Sequence, residues 1–238
     1  MSRYLLQLVV LFVFCAAPLT SFAGAASMVV FKGETPGKEA KAFTSLVGNW
    51  HVDTDGNRTV YAVDGRQWEQ GLMSPNASEK ARMLYGKQAG TFLAGINTYR
   101  YFPLSVYKGK VSFKNGTVQV SFKTVSGAID QGAGIAFDIR PDGNYLVLRV
   151  NPLENNMILF RMEGGRRKTL QWTQEVPTPS QQWQTLKVEV NGKRISGYLN
   201  GKKYLDHTLD KPTERGRIGL WSKSDSYVFF DDFRVSEE

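Results

Sequence analysis

The chain has almost no cysteine, little histidine and few helical signals. Its 238 residues include one Cys and two His. The cysteine, Cys15, lies inside the N-terminal apolar run, and Phe14 before it is too bulky for a lipoprotein acylation site. Once that run is removed, no thiol remains for a disulfide, a thiolate metal site or a cysteine nucleophile. His51 and His207 lie far apart and make no zinc-ligand spacing. There is no Gly-x-Ser-x-Gly elbow and no Glu-x-Asp-x-x-Glu strand. Retaining glycoside hydrolysis needs two carboxylates about 5 Å apart, and no strand offers a tidy pair. Asp138, Glu154 and Asp231 are left for the fold to bring together or keep apart. No Pro/Gly/Ser-rich linker divides the chain, which points to one domain.

The N-terminus carries an export signal. Met1-Ser2-Arg3 supplies a positive start, Tyr4 to Ala17 is almost wholly apolar, and Pro18 breaks the run before Ser21-Phe22-Ala23. This is the pattern of a secretory signal peptide over residues 1–23. The run is too short to favour a span, which needs about 20 apolar residues. Cleavage after Ala23 fits best; cuts after Ala25 or Ala26, or an uncleaved anchor, are the alternatives. The expected location is periplasmic or extracellular, with no membrane partner after cleavage. The formal net charge is +8, but the basic residues are scattered. The densest run, Gly164-Gly165-Arg166-Arg167-Lys168, reads as a solvated turn, so nucleic acid is not an expected partner.

Most of the remaining chain alternates with period two between turn signals. Trp50–Asp53 and Thr59–Val63 flank Asp55-Gly56-Asn57. Val111–Phe113 and Thr117–Phe122 flank Asn115-Gly116. Ile135–Arg140 and Tyr145–Asn151 flank Asp142-Gly143. Leu186–Val190 and Arg194–Leu199 flank Asn191-Gly192, and Asn200-Gly201 follows. Such dipeptides supply the positive φ of tight hairpins. A last strand covers Ser226 to Val235. The spacing predicts an all-β, two-sheet antiparallel jelly-roll sandwich. A segment over 24–46 carries the first strand, and the jelly-roll domain spans 47–238. The one predicted helix is Ala77–Tyr85, capped by Asn76.

Alternation places Ile135, Phe137 and Ile139 in the core with Leu146, Leu148, Val150, Ile158, Phe160 and Met162. The opposite face then carries Asp138, Arg140, Tyr145, Arg149, Asn151 and Arg161, with Asp138, Val147 and Arg161 in one row and Arg149 in the next. Guanidiniums, a carboxylate, an amide and a phenol suit a hydroxyl-rich ligand. A solvated face with cross-strand ion pairs is the plainer alternative. Trp172 and Trp221 are candidate sugar platforms if exposed; Trp50, Trp68 and Trp183 read as core. Asp231 falls on the parity of Phe233 and Val235, so either a bulge shifts the register or the acid is buried and satisfied. Calcium on Asp231 and Asp232 is a candidate, since oxygen ligands suit that ion; no other cofactor is expected.

Several motifs in order carry a family resemblance. They are Phe102-Pro103-Leu104, Val125 to Ile135, Asn144 to Asn156, Trp183 to Val190, and Gly219-Leu220-Trp221-Ser222 leading into Phe230-Asp231-Asp232-Phe233. Over roughly Val47 to Val235 the chain resembles exported bacterial proteins of the 3-keto-disaccharide hydrolase-like family. The resemblance implies a concanavalin A-like, or LamG-like, jelly roll. Where some relatives carry a Glu-x-Gln-x-x-Asp-like stretch, this chain has Tyr145-Leu146-Val147-Leu148-Arg149. Three functions follow as expectations. The first is binding of carbohydrate on one sheet face. The second, implied by the resemblance, is hydrolysis of 3-keto-glycosides. The third is a structural or protein-interaction role.

Overall fold

The computed structural model describes residues 26–67, 71–109 and 112–238. The signal segment, Trp68 and Val111 lie outside these residues. Among the described residues there are 15 strands, numbered here in chain order, and two α-helices. The eight-stranded sheet runs β13 (Lys202–Thr208), β12 (Arg194–Leu199), β11 (Gln184–Asn191), β6 (Gly116–Ser126), β15 (Tyr227–Glu237), β4 (Arg58–Asp64), β3 (Trp50–Asp55). There β1 (Ala26–Val29) also pairs with β15. The seven-stranded sheet runs β10 (Arg166–Thr173), β9 (Asn156–Glu163), β8 (Tyr145–Asn151), β7 (Ala133–Ile139), β14 (Arg217–Ser222), β5 (Leu104–Tyr107), β2 (Phe43–Val47). All pairings are antiparallel, giving the expected jelly-roll sandwich. The 24–46 segment contributes a strand to each sheet.

The two sheets differ in how their outer faces are covered. In β6 and β11 buried and half-exposed residues alternate, because only the inner face meets the core. In β8 every residue is buried. Its inward set, Leu146, Leu148 and Val150, joins the core between the sheets. Its outward Tyr145 and Val147 join a second core beneath α1 (Ala77–Tyr85) and α2 (Ala89–Asn97). Phe92 and Ile96 of α2 pack there with Ala136, Phe160 and Met162. Gly95 lets α2 seat on the β7–β8 turn: a Cβ at that position would lie 2.4 Å from the Asp142 carbonyl oxygen.

Four expectations need correction. First, α1 has the predicted limits, but Asn76 is left-handed (φ 58°) and makes no side-chain capping bond. Second, Asn115-Gly116 does not close a hairpin: Phe113 bridges Gly216, and Gly116 opens β6 against Glu237 of β15. Third, β9 is out of phase by one residue. Leu148 pairs with Leu159 and Val147 with Phe160, so Ile158, Phe160 and Met162 face the helices while Met157 and Leu159 face the other sheet. With both faces of β9 apolar, alternation gave no phase. Fourth, Ile139 also lies on the helix side. A bulge opposite β14, at Asp138 with φ 51°, reverses the side-chain direction between Phe137 and Ile139.

Candidate functional site

α1 and α2 cover one part of the seven-stranded sheet's outer face. Beyond them one row crosses five strands. Trp221 pairs with Gly134, Gly134 with Arg149, Arg149 with Ile158, and Ile158 with Trp172. Gly134 matters here, because a Cβ on it would lie 3.1 Å from both the Arg149 Cβ and the Trp221 ring. Trp221 is fully buried and stacks on Phe102, with centroids 5.3 Å apart. It is therefore a wall and not a sugar platform. Trp172, at the other end, is 57% exposed.

Arg149 is 2% exposed. It donates through Nη1 to Asn156 Oδ1 at 2.8 Å and through Nη2 to Glu154 Oε2 at 2.8 Å. Asn156 Nδ2 donates to the same Glu154 oxygen at 2.7 Å. Burial raises the Glu154 pKa, but the Arg149 and Asn156 hydrogen bonds outweigh it and hold the carboxyl below its ordinary value. Glu154 keeps 38% side-chain exposure, so one carboxylate edge faces solvent from a fixed position.

Asp130 lies on the neighbouring loop and is 1% exposed. Asn151 Nδ2 donates to its Oδ1 at 2.7 Å, and Lys223 Nζ sits 2.5 Å from its Oδ2. Burial pushes Asp130 upward, and Lys223 and Arg149 only partly offset this. The loop itself is clamped by Asp225, which accepts hydrogen bonds from the backbone of Ala128, Ile129 and Asp130. Arg167 completes the cluster, its guanidinium 4.6 Å from the Phe160 ring centre and 5.2 Å from that of Phe102. Burial lowers its pKa, and the neighbouring Arg149 adds to this, while Asp130 and Glu154 oppose it.

The face expected to hold six residues is thus divided. Arg149 and Asn151 belong to the row's polar cluster. Tyr145 is buried beneath the helix layer, edge-on to Tyr99. Asp138, Arg140 and Arg161, with part of Tyr145, line a separate cleft at the opposite end of β8. Arg161 pairs with Leu146, not with Val147, which removes it from the face of Arg149. Asp138, Glu154 and Asp231 do not meet. Asp130, Asn156, Arg167 and Lys223 were missed because most sit in turns or at strand ends, where alternation says nothing.

The Asp231 and Asp232 pair has another partner. The ladder slips between Asp231 and Arg234, with Asp232 at φ 48°. Arg58 donates from Nε to Asp231 at 2.6 Å and from Nη2 to Asp232 at 2.6 Å, and lies 3.9 Å from the centre of the Trp183 ring. A guanidinium stands where a cation would bind, and no group of three His, Cys, Asp or Glu suited to a metal occurs among the described residues. These donors do not fit a calcium site. Trp183 is half-buried on the outer face and donates to Asp55 at 2.8 Å, whereas Trp50 is core.

Two antiparallel sheets with one partly covered outer face define the class: a concanavalin A-like jelly-roll sandwich. Within it, the chain belongs to the 3-keto-alpha-glucoside-1,2-lyase-like domain family, whose pattern matches residues 104–236. No curated protein sequence matches it. Among solved structures it is similar to the carbohydrate-binding module CBM66 from Bacillus subtilis. The identity is 16%, over 82% of this chain and 96% of that one, with a TM-score of 0.57. A Bacillus licheniformis β-glucanase is 11% identical over 90% of this chain and 99% of its own, with a TM-score of 0.55. A Bacillus subtilis protein of unknown function with a galectin-like fold is 13% identical over 83% and 90%, with a TM-score of 0.53. At these identities the likeness is one of fold.

Proposed function

We propose that this is an exported protein that binds carbohydrate on the outer face of its seven-stranded sheet, along the row from Trp221 to Trp172. The observation that carries the reading is that row. It joins an exposed indole, which suits the apolar face of a sugar ring, to a fixed array of donors and acceptors beside it. Glu154 offers a carboxylate edge, Lys223 and Arg167 offer cations, and Arg149 and Asn151 hold the array from below. Pre-set polar groups suit vicinal hydroxyls because little ordering remains to be done on binding. The family membership and the jelly-roll fold support the same substrate class. The test is a glycan array on the mature protein, then calorimetric titration of each hit. Trp172→Ala should weaken binding about tenfold with an unchanged melting temperature. Equal binding by the variant would reject the row as the site.

The family description favours a second reading, elimination from a 3-keto-glycoside. The 3-oxo group acidifies the C2 proton. A base takes that proton, the electron pair forms the C1–C2 double bond, and the C1–O bond breaks with the leaving oxygen taking a proton. Water added across the double bond would make the net result a hydrolysis. Glu154, held ionised and half-exposed, fits the base, with Lys223 or Arg167 facing the enolate charge. Asp130 is too buried to touch a ligand and acts as a positioning residue. Glu154→Gln should abolish release of the leaving sugar, followed by NMR, while retaining binding. Full turnover by that variant would remove Glu154 from the role.

A further inference from the structure

Basic residues that look scattered in the sequence are gathered by the fold along one flank. β10 ends the seven-stranded sheet and β13 ends the eight-stranded sheet. The two edge strands approach each other across the open side of the sandwich. The Gly164-Gly165 turn passes into β10, so Arg166, Arg167 and Lys168 open an exposed edge strand instead of lying in a loop. Residues 156–173 and 194–208 hold the β9–β10 and β12–β13 hairpins. They carry seven Lys or Arg against two acids, Glu163 and Asp206. The flanking Glu175, Lys193, Asp210 and Lys211 add equal charge of each sign, so the excess stands.

Most of these cations are uncompensated. Arg194 and Lys203 are ion-paired, and both share Asp206. The side chains of Arg161, Arg166, Arg167, Lys168 and Lys202 have no hydrogen bond or ion pair with any described residue. Arg167 lies over Phe160 and Phe102, and Lys202 lies 4.7 Å from the centre of the Tyr204 ring. Lys168 stands directly opposite Arg161 in the β9–β10 ladder. Like charges so placed destabilise a sheet. Lysines on an edge strand deter aggregation, but that purpose needs no second cation across the ladder on β9. An anion lying along the ladder would turn this repulsion into attraction.

We propose that this flank binds an acidic polysaccharide, a linear glycan that carries carboxylates along its length. The cations are spread over two hairpins and not gathered in one pocket, which suits a chain of repeated charges better than one small anion. β10 belongs to both surfaces. Its Arg167 and Trp172 face the row described above, while Lys168 and Arg166 continue onto the flank. A glycan seated on Trp172 therefore runs onto the cations as it crosses the edge of the sheet. That the polyanion is a glycan rests on the carbohydrate reading of the row; that it is an anion rests on the flank alone.

The test is titration of the mature protein with polygalacturonate, neutral dextran, duplex DNA and vesicles of phosphatidylglycerol with phosphatidylcholine. Polygalacturonate should bind at least tenfold more tightly than each of the others at matched charge or sugar concentration. Its affinity should fall about tenfold or more between about 50 and about 300 mM NaCl, as screening shortens the reach of the charges. The double variant Arg161→Gln, Lys168→Gln removes two cations that repel each other, so its melting temperature should hold or rise while polygalacturonate affinity falls tenfold or more. Lys202→Gln in addition should weaken it further, and Arg161→Lys, which keeps the charge, should bind as wild type. The proposal is overturned by polygalacturonate binding no tighter than dextran, by affinity insensitive to salt, or by the double variant binding as well as wild type. Equal or tighter binding of DNA or vesicles would also overturn it, making the partner a different polyanion. If neutral glycans bind and polygalacturonate gains nothing, the row stands and the flank falls. If no neutral glycan binds while polygalacturonate shows the expected salt and variant responses, the flank stands and the row falls.

Discussion

Arg149 and Asp138 are both polar residues of central strands, and their surroundings give them opposite behaviour. Arg149 is enclosed, with both terminal nitrogens hydrogen-bonded and only Nε left without a partner. Truncating it to Ala leaves Asn156, itself 1% exposed, without its donor. Glu154 can turn part of its charge to water. We expect Arg149→Ala to cost about 1–3 kcal/mol, seen as a lower urea midpoint at unchanged slope. A loss below about 0.5 kcal/mol would show that the guanidinium holds nothing together. Asp138 is largely enclosed, and one of its carboxylate oxygens, Oδ1, has no hydrogen-bond partner, while the Glu214 backbone supports the carboxyl. Burial pushes its pKa up to about 6, Arg140 pulls it back, and the Glu214 charge adds to the rise. The folded state therefore keeps this proton to higher pH than the unfolded chain, whose carboxyl titrates near 3.8. The group favours the folded state fully below the unfolded value, and stability declines as pH rises to about 6. Asn tolerates the left-handed backbone, so Asp138→Asn should be more stable than wild type at pH 8. The gain should reach up to about 3 kcal/mol, at about 1.36 kcal/mol per pH unit, and should vanish near pH 4. Equal differences at both pH values, measured by urea unfolding, would contradict this.

At the scale of elements, coverage decided what the sequence could reveal. Strands with one wet face, β6 and β11, could be read directly, and so could the β7–β8 and β11–β12 hairpins with their Gly turns. β9 was recognisable as a strand, but Asn156-Met157-Ile158-Leu159-Phe160 carries too little polar contrast to set its phase, and one slip exchanged its faces. α2 was missed for a related reason. Its Ala-Gly-Thr-Phe-Leu-Ala-Gly sequence holds two glycines and a β-branched residue, poor helix formers in isolation. It is held by packing on Phe160 and by the close seat of Gly95 on the β7–β8 turn. Leu148 and Phe160 test the two cores separately. Leu148 is buried between the sheets and Phe160 beneath the helices. Each change to Ala should cost about 2–5 kcal/mol. If only Leu148→Ala destabilises, the helix layer contributes little to the fold.

At the scale of the molecule, the chain is a sandwich whose sheets serve different ends. The eight-stranded sheet locks its outer polar groups in pairs such as Arg58 with Asp231 and Asp232. The seven-stranded sheet is covered by helices over part of its face and leaves a polar row beside them. The export proposed above rests on the basic-then-apolar N-terminus, which also holds the one cysteine, Cys15. Protein recovered from its native host should have an intact mass beginning at or near Gly24. A species retaining residues 1–23, or recovery from the cytoplasm, would contradict the export reading. The period-two pattern and the Gly turns determined the sandwich class, because strand alternation and positive φ are local properties. The ordered motifs from Phe102 onward determined the family. Which polar residues meet was decided only by the tertiary structure. A bulge at Asp138, a second at Asp232 and the phase of β9 each depend on what packs across the sheet. Those contacts place Arg149 with Glu154, and Arg161 with Asp138 at the far end of the same strands.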